Sequence, residues 1–376
     1  MNLLQPTPLL GGLSCATFMR MHWHKAPLLV RQALPAGLAL LPRNELFALA
    51  AREEVESRLV WREPLGGAWQ MRHGPLPRRA LPPIRQGGWT LLVQGLDLHL
   101  DAAAALLECF TFIPRARLDD LMLSYATHRG GVGPHVDAYD VFLLQVQGRR
   151  RWRIAPPGDA AFKPARPLKI LKRFKPTQEW LLEPGDMLYL PPGWAHDGVA
   201  EGECMTASVG FRAQTPAQMA AELLQRLADA CDLDARQSPY ADPAQAATAQ
   251  PARLPPALQA FAGRALSQAL GQPQAVACAL GEWLTEPKPK VTFEVAGEPE
   301  PGSGLSLDRR SKMLYDDAHL FINGEAFECA GRDATLLRQL ADERRLGAAQ
   351  AARLSAGARR VVALWVQAGW LHGDTT

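Results

Sequence analysis

Residues 130–145 have the sequence GGVGPHVDAYDVFLLQ, and the fold of the chain is best inferred by starting from them. A glycine-rich turn leads into His135 and Asp137, and the apolar residues that follow Asp140 are typical of a β-strand. Successive side chains of a strand point to opposite faces, so His135 and Asp137 lie on the same side. The stretch therefore predicts two polar side chains presented together where a β-rich block begins.

A second stretch, residues 183–196, has the sequence EPGDMLYLPPGWAH. It predicts a Pro-Gly-Asp turn, a short apolar strand, a proline-rich turn and one histidine, His196. Two imidazoles and one carboxylate form the facial triad that leaves open positions on a non-haem Fe(II). We therefore expect His135, Asp137 and His196 to bind a metal ion in a double-stranded β-helix, the jelly-roll or cupin fold. The alternative is that both histidines are ordinary residues at the ends of loops, since a His-x-Asp pair alone is a weak signal.

Residues 148–154 have the sequence GRRRWRI and predict a strand after the turn at Gly148. On such a strand Arg150 shares a face with Trp152 and Ile154, which is the face expected to be buried. An unpaired inward arginine is costly, so Arg150 requires an anionic partner. A dicarboxylate co-substrate would supply one, because guanidinium binds carboxylate through two parallel hydrogen bonds. The alternative is an internal salt bridge, for which Asp140 is the candidate.

With these motifs the chain resembles the JmjC-type ribosomal oxygenases, and among them the bacterial ribosomal-protein arginine hydroxylases. The resemblance covers most of the chain. It is carried by residues 23–33, 119–124, 130–145, 148–153, 183–196 and 208–212. It implies an α+β protein with a JmjC double-stranded β-helix domain at residues 1–214. A helical dimerisation region at residues 215–285 and a small winged-helix-like C-terminal domain at residues 286–376 are implied to follow.

The same resemblance implies an Fe(II)- and 2-oxoglutarate-dependent dioxygenase that consumes O₂. The three residues of the predicted triad would be both its metal ligands and its catalytic residues. Arg150 matches the cationic group that binds the distal carboxylate of 2-oxoglutarate in this family. Ser124 and Ser208 are further candidates for holding the co-substrate, although a serine on a core strand is more often satisfied by the backbone.

The implied substrate is an arginine side-chain carbon of a large-subunit ribosomal protein, the one numbered sixteen. Eukaryotic relatives act on histidine and carry lysine where this chain has Arg150, so Arg150 favours the arginine type. An arginine substrate requires acidic or aromatic groups at the mouth of the site. Tyr139 and Asp140 lie next to the predicted metal ligands and are our candidates. The alternative for both residues is packing within the barrel and a local hydrogen bond.

Other functions remain open at this stage. A JmjC-type histidine hydroxylase or demethylase would use the same metal and co-substrate, and the release of formaldehyde would distinguish a demethylase. A metal-binding cupin without catalytic activity could act as a ribosome-binding module. A complete triad together with an inward Arg150 argues against such a module, because a scaffold requires neither.

Composition sets broad limits on these functions. The chain has 376 residues with 41 basic and 38 acidic side chains, a net charge of +3 that neither demands nor excludes a polyanionic partner. Its six cysteines have no CxxC spacing and predict reduced thiols. No apolar run approaches the length of a membrane span, and the N-terminus has no basic segment before its apolar residues. We expect a cytoplasmic protein without a membrane partner.

The C-terminal region invites a nucleic-acid hypothesis because winged helices often bind DNA. Residues 305–376 contain ten Arg or Lys and nine Asp or Glu, a net charge of +1 (10 − 9). A DNA-reading domain is usually distinctly basic, so we expect protein contacts here and no direct DNA binding. For the helical region that precedes it, the resemblance implies a homodimer interface, and the alternative is packing against the barrel.

Overall fold

The structure is a computed structural model that describes residues 2–34, 40–63, 67–158, 161–163, 168–230, 239–271, 273–295 and 302–374. The strands of these residues are β1 (Leu28–Val30), β2 (Ser57–Arg62), β3 (Trp69–His73), β4 (Trp89–Val93), β5 (Leu118–Ala126), β6 (His135–Val136), β7 (Val141–Ala155), β8 (Gln178–Leu182), β9 (Met187–Leu190), β10 (Ala195–Phe211), β11 (Gly304–Leu307), β12 (Met313–Tyr315), β13 (His319–Ile322), β14 (Glu325–Glu328), β15 (Arg345–Leu346) and β16 (Leu371–Asp374). The helices are α1 (Cys15–Met21), α2 (Arg43–Ala50), α3 (Asp101–Glu108), α4 (Pro216–Asp229), α5 (Pro256–Leu270), α6 (Pro273–Thr285), α7 (Gly331–Glu343), α8 (Ala348–Ala351) and α9 (Ala356–Gln367).

The chain divides into two compact units. The first comprises residues 1–213 with residues 289–292, and the second comprises residues 214–288 with residues 293–376. The three-part division expected from the sequence, with boundaries after residues 214 and 285, remains a prediction.

The first unit is built on one antiparallel sheet with the strand order β1-β9-β7-β10-β5-β4-β2-β3. The short β6 pairs with β10, and β8 pairs with β7. The longest ladder joins β7 to β10 and runs from Ala155 opposite Ala195 to Val141 opposite Gly210. The predicted jelly roll is confirmed. The pairing of β6 with β10 and of β7 with β9 brings residues 130–145 and residues 183–196 together.

The main core of the first unit lies on the sheet face that packs against the N-terminal helices. Phe18 of α1, Leu46 of α2 and Leu106 of α3 belong to one buried cluster with Phe142 of β7. Burial of each such side chain stabilises the fold by about 1.5–3 kcal/mol. The opposite face of β5, β7 and β10 is therefore left to line the functional cavity.

The helices α2 and α3 begin without a side-chain cap. Their N-caps are Pro42 and Leu100, and neither makes a side-chain capping hydrogen bond. Asp101 is the first residue of α3, where its charge faces the positive end of the helix dipole. By contrast, Thr215 caps α4 in a complete capping box with Gln218.

The second unit contains the helices α4 to α6 and a winged-helix domain. Two three-stranded sheets, β15-β11-β16 and β12-β13-β14, pack with α7 and α9 around a core that includes Leu340 and Trp365. Asn323 and Gly324 adopt positive φ angles of 49° and 92° and close the hairpin between β13 and β14, as the Asn-Gly pair predicts.

Two expectations from composition concern the described residues. Their cysteines, which are Cys15, Cys109, Cys204, Cys278 and Cys329, are free thiols, and Cys231 lies outside the part of the chain that is described. Within that same part, no helix combines the length and the apolar character that crossing a membrane requires.

Candidate metal centre and cavity

The three residues of the predicted triad lie together. One potential ligand atom from each of His135, Asp137 and His196 lies within 4.8 Å of the other two. The backbone causes this proximity, because β6 pairs with β10 with His135 directly opposite His196. The turn into β6 depends on Gly133, whose φ of +78° is unfavourable for other residues and where a Cβ would meet the Trp69 ring at 2.8 Å.

Hydrogen bonds orient both imidazoles towards a common point. Nδ1 of His135 lies 2.8 Å from the Gly133 carbonyl oxygen, and Nδ1 of His196 lies 2.9 Å from the Trp194 carbonyl oxygen. Donation from each Nδ1–H leaves the Nε2 lone pair free, which is how protein backbones commonly prepare histidine ligands. The two Nε2 atoms lie 3.9 Å and 3.5 Å from the carboxylate oxygens of Asp137.

The electrostatics of His196 also suit a ligand. Burial, together with the neighbouring His135, lowers the pKa of His196 to about 4 even though Asp137 opposes the shift. The ring is therefore neutral at physiological pH and can donate its lone pair to a cation. Two neutral nitrogens and one carboxylate oxygen on one side of a point are a donor set that fits Fe(II) and leaves further positions for other ligands.

A cavity of about 530 Å³ opens beside the triad. Its volume falls in the range of small-molecule sites. Its wall includes all three triad residues, Arg150 and Trp152 from β7, and Ser124 and Ser208 from β5 and β10. The side chains that the sequence assigns to metal and co-substrate therefore face one space.

Arg150 lies on the inward face of β7, as predicted. Its side chain is only 5% exposed, and its guanidinium stacks on the Trp152 ring at 5.4 Å from the ring centroid. It donates hydrogen bonds to the hydroxyls of Ser124 at 3.1 Å and Thr206 at 3.2 Å. Among the described residues no carboxylate forms an ion pair with Arg150. The buried cation thus fits an anionic ligand in the cavity.

The two serines differ in their surroundings. Ser124 is 3% exposed and donates to the Thr206 carbonyl oxygen at 3.1 Å while accepting from Arg150. Ser208 lines the cavity and is 7% exposed. Thr206 was missed by the sequence analysis, although it alternates with Ser208 along β10 and its hydroxyl holds both Arg150 and Gln145. The period of two along β10 puts Thr206 on the same face as Ser208 but does not show its contact with Arg150.

The structure separates the two residues predicted to contact the substrate. Tyr139 lines the cavity and is 39% exposed. Asp140 is fully buried on the other side, where it accepts a 2.5 Å hydrogen bond from the Tyr189 hydroxyl and pairs with His24 at 3.3 Å. The expectation that Asp140 lines the mouth was therefore wrong. Both residues lie in the connection between β6 and β7, where strand alternation does not set the direction of a side chain. The suggested salt bridge from Arg150 to Asp140 is also absent.

Acidic residues of the cavity come instead from β5. Asp119 and Asp120 both line it, Asp119 being half-buried and Asp120 5% exposed. Asp120 is held by the backbone N–H of Gly95 at 3.0 Å and by Gln94 at 3.4 Å. Alternation along β5 puts Asp120 on the same face as Ser124, and this signal could have revealed it.

Comparison with known proteins agrees with the fold and the site. A model of the JmjC domain matches residues 105–219, and a model of the ROXA-like winged helix matches residues 265–372. The Escherichia coli (strain K12) ribosomal protein uL16 3-hydroxylase is 33% identical over 293 residues, which cover 77% of this chain and 75% of that protein.

Solved structures give the same result. The X-ray structure of E. coli YcfD superposes with a TM-score of 0.83 at 28% identity and covers 96% of this chain and 98% of that chain. A structure of YcfD, described as a ribosomal oxygenase from E. coli in complex with cobalt and 2-oxoglutarate, has a TM-score of 0.79 at 27% identity with the same coverage. The chain therefore belongs to the ribosomal oxygenases that combine a JmjC domain with a ROXA-like winged helix.

Proposed function

We propose that this protein is an Fe(II)- and 2-oxoglutarate-dependent oxygenase that hydroxylates an arginine side-chain carbon of a large-subunit ribosomal protein, uL16. The observation that carries the proposal is the triad of His135, Asp137 and His196 beside a buried Arg150 that has no carboxylate partner among the described residues. A metal-binding scaffold would have no use for that buried cation. The similarity to a uL16 3-hydroxylase supports the choice of substrate.

In this proposal the triad holds Fe(II), and Arg150 binds the distal carboxylate of 2-oxoglutarate. When bound, Fe(II) with 2-oxoglutarate and O₂ supplies the oxidising power that converts an unactivated C–H group to an alcohol. The protein positions the reactants and limits access of water. Ser124 and Thr206 fix the Arg150 guanidinium, and Ser208 contributes a hydroxyl to the cavity wall.

We further propose that the cavity mouth recognises the substrate guanidinium by charge. Asp119 and Asp120 place two carboxylates on the cavity wall in addition to Asp137. Guanidinium prefers planar carboxylate partners, and the face of an aromatic ring such as Tyr139 attracts a cation. Asp120 is 5% exposed and Asp119 is only half-buried, so Asp119 is the more accessible candidate for the substrate contact.

The proposed assembly is a homodimer in the cytoplasm. Support for an interface comes from α5, where Leu266 is 64% exposed and Leu270 is 48% exposed. A helix with such apolar groups in solvent gains stability by pairing with another surface. Light scattering of the purified chain and of Leu266→Glu tests this, because a monomeric wild-type protein would contradict the proposal.

The proposed reaction is tested with the protein loaded anaerobically with Fe(II) and 2-oxoglutarate and then exposed to air with purified ribosomal proteins. Intact-mass measurement should show one added oxygen atom on uL16, with His135→Ala as the control that shows none. Tandem mass spectrometry then locates the modified residue. Release of formaldehyde without a retained oxygen atom would indicate a demethylase instead. If neither oxygen incorporation nor succinate formation exceeds the control, the metal-binding module remains as the function.

A further inference from the structure

The strand β3 ends the large sheet. Among the described residues it pairs with β2 alone, so its other edge has no strand partner there. Hydrogen bonds from Glu63 N–H to the Ala68 carbonyl and from Gly74 N–H to the Ser57 carbonyl, at 3.1 Å and 2.8 Å, fix which residues face β2. In an antiparallel ladder the intervening residues direct their N–H and C=O groups to the other side. These free-edge residues are Trp69, Met71 and His73.

No described residue forms a backbone hydrogen bond with that edge. The backbone N–H and C=O groups of the free-edge residues have no hydrogen-bond partner in the described part of the chain. The strand has no proline, and the one arginine within it, Arg72, stacks on the Trp61 ring on the opposite face at 5.9 Å. Natural edge strands are usually blocked by such charges, by proline or by a covering segment. The β3 edge therefore has donors and acceptors that no described residue pairs with.

The open edge borders the functional cavity. Met71 belongs to the cavity wall together with the triad. The Trp69 ring lies against Gly133, the residue that begins the turn into His135. A peptide aligned along this edge would therefore run beside the entrance to the metal centre.

The proposed reaction makes main-chain position important. The relative is a 3-hydroxylase, and the 3-position of an amino acid is the β-carbon, one bond from the Cα. A reacting β-carbon can be held near the metal only if the substrate main chain is itself held there. A long side chain that reacts at its tip imposes no such requirement. Backbone hydrogen bonds at an open sheet edge provide this control, and strand addition is a common mode of peptide recognition.

We propose that the substrate binds as an added β-strand along the free edge of β3, with the reacting arginine side chain directed into the cavity. This inference rests on the proposed hydroxylation of a ribosomal protein and adds how the substrate is held. Alternate substrate residues would pair through their N–H and C=O groups with the free-edge residues. The intervening residues would point their amides away from β3.

The first test compares Met71→Pro with Met71→Leu. Both variants lose the methionine side chain, and only proline also removes the N–H from the open edge. Proline is compatible with an edge position whose N–H does not pair with the neighbouring strand. We expect the KM for uL16 to be roughly two- to tenfold higher for M71P than for M71L, the effect of one lost hydrogen bond. If M71P and M71L both keep the Tm of the wild type and have equal KM values for uL16, the proposal is overturned.

The second test changes the substrate and remains informative if M71P does not fold. Synthetic uL16 peptides centred on the hydroxylated arginine carry a single N-methyl group at successive amides. The wild-type enzyme should lose affinity with a period of two, because only alternate amides would donate to β3. Uniform sensitivity, or none, would refute strand addition while hydroxylation of the unmethylated peptide still supports the oxygenase. Failure to hydroxylate uL16 or any of its peptides would instead refute the proposed function.

Discussion

The guanidinium of Arg150 on β7 donates a 3.1 Å hydrogen bond to the hydroxyl of Ser124 on β5 across the intervening strand β10. Thr206, on that intervening strand, accepts a second bond from the same guanidinium nitrogen at 3.2 Å. Three neighbouring strands therefore hold one buried cation in a fixed position. Neutral hydroxyls orient the cation but do not neutralise it, which leaves its charge available to a ligand.

Arg150→Met should weaken binding of 2-oxoglutarate and leave metal binding intact. Loss of a charge-assisted pair costs about 1.5–3 kcal/mol, so the KM for 2-oxoglutarate should rise roughly ten- to 150-fold. Steady-state kinetics at saturating Fe(II) measure this change. Arg150→Lys keeps the charge but lacks the geometry for two parallel hydrogen bonds. Its KM for 2-oxoglutarate should therefore lie between those of the wild type and Arg150→Met. An unchanged KM in Arg150→Met would show that the co-substrate carboxylate binds elsewhere.

The wild-type protein should be stabilised by divalent metal, and the triad variants should not. A ligand that binds only the folded state raises Tm, and the stabilisation grows with the logarithm of one plus the ratio of ligand concentration to Kd. Thermal unfolding with Mn²⁺ or Co²⁺, and again after addition of a chelator, measures this effect without depending on turnover. His135→Ala and Asp137→Ala should melt at the same temperature with or without metal. A metal-dependent shift that survived in both variants would place the ion outside the triad.

Much of the site could be predicted because period-two alternation is a local property of a strand. It placed Arg150 inward with Trp152, and it put His135 and Asp137 on one side. The rule does not apply to Tyr139 and Asp140, which lie in the connection between β6 and β7, so the burial of Asp140 away from the cavity required the structure.

Thr206 could not be assigned to Arg150 from the sequence. The ladder between β7 and β10 is irregular between Glu201 and Thr206, and Gly148 opposite has a φ of +63°. Such a bulge changes which residues share a face on either side of it. The sequence predicts a turn at Gly148, but it does not show how many residues of β10 lie opposite that turn. Cross-strand contacts beyond the bulge therefore required the structure.

Alanine substitutions at the adjacent residues Asp140 and Tyr139 should affect different properties of the protein, stability in the first case and substrate binding in the second. Asp140→Ala removes the acceptor of the buried Tyr189 O–H, leaving only the bond that this hydroxyl accepts from the His24 N–H. The substitution should lower the free energy of unfolding by about 1–3 kcal/mol. Tyr139→Ala removes a half-exposed ring at the cavity and should raise the KM for uL16 with little effect on stability. Urea denaturation and kinetics on the two variants check this. Equal losses of stability would contradict the separation of the two side chains.

Asp119→Asn should weaken binding of the protein substrate more than binding of 2-oxoglutarate. The substitution keeps the shape of the side chain and removes the charge that we propose attracts the substrate guanidinium. The KM for uL16 should rise, and the rise should shrink at high ionic strength because salt screens a partly exposed pair. A matched peptide with lysine in place of the target arginine serves as the comparison. Equal increases in the KM for uL16 and in the KM for 2-oxoglutarate would mean that Asp119 affects the whole cavity and not the substrate contact alone.

The winged-helix domain should lose stability in acid through Asp308. Burial by itself favours the neutral acid, but hydrogen bonds from Arg310 and His372 outweigh it and hold the pKa of Asp308 below its usual value. A carboxyl whose pKa is lower in the folded state adds stability above its unfolded-state pKa of about 3.9, and that stability is lost as the pH falls through the folded-state value. Each unit of difference between the two states corresponds to about 1.4 kcal/mol.

Asp308→Asn removes this titrating group, so its stability should depend less steeply on pH below about 4 than that of the wild-type protein. Urea denaturation of the intact chain between neutral and acidic pH, followed by tryptophan fluorescence, compares the two slopes. Trp365 lies in the core of this domain and reports its unfolding. Near neutral pH the variant should be the less stable protein, because it keeps the buried site and loses the charge that Arg310 and His372 contact. Parallel pH profiles would show that Asp308 titrates alike in the folded and unfolded states.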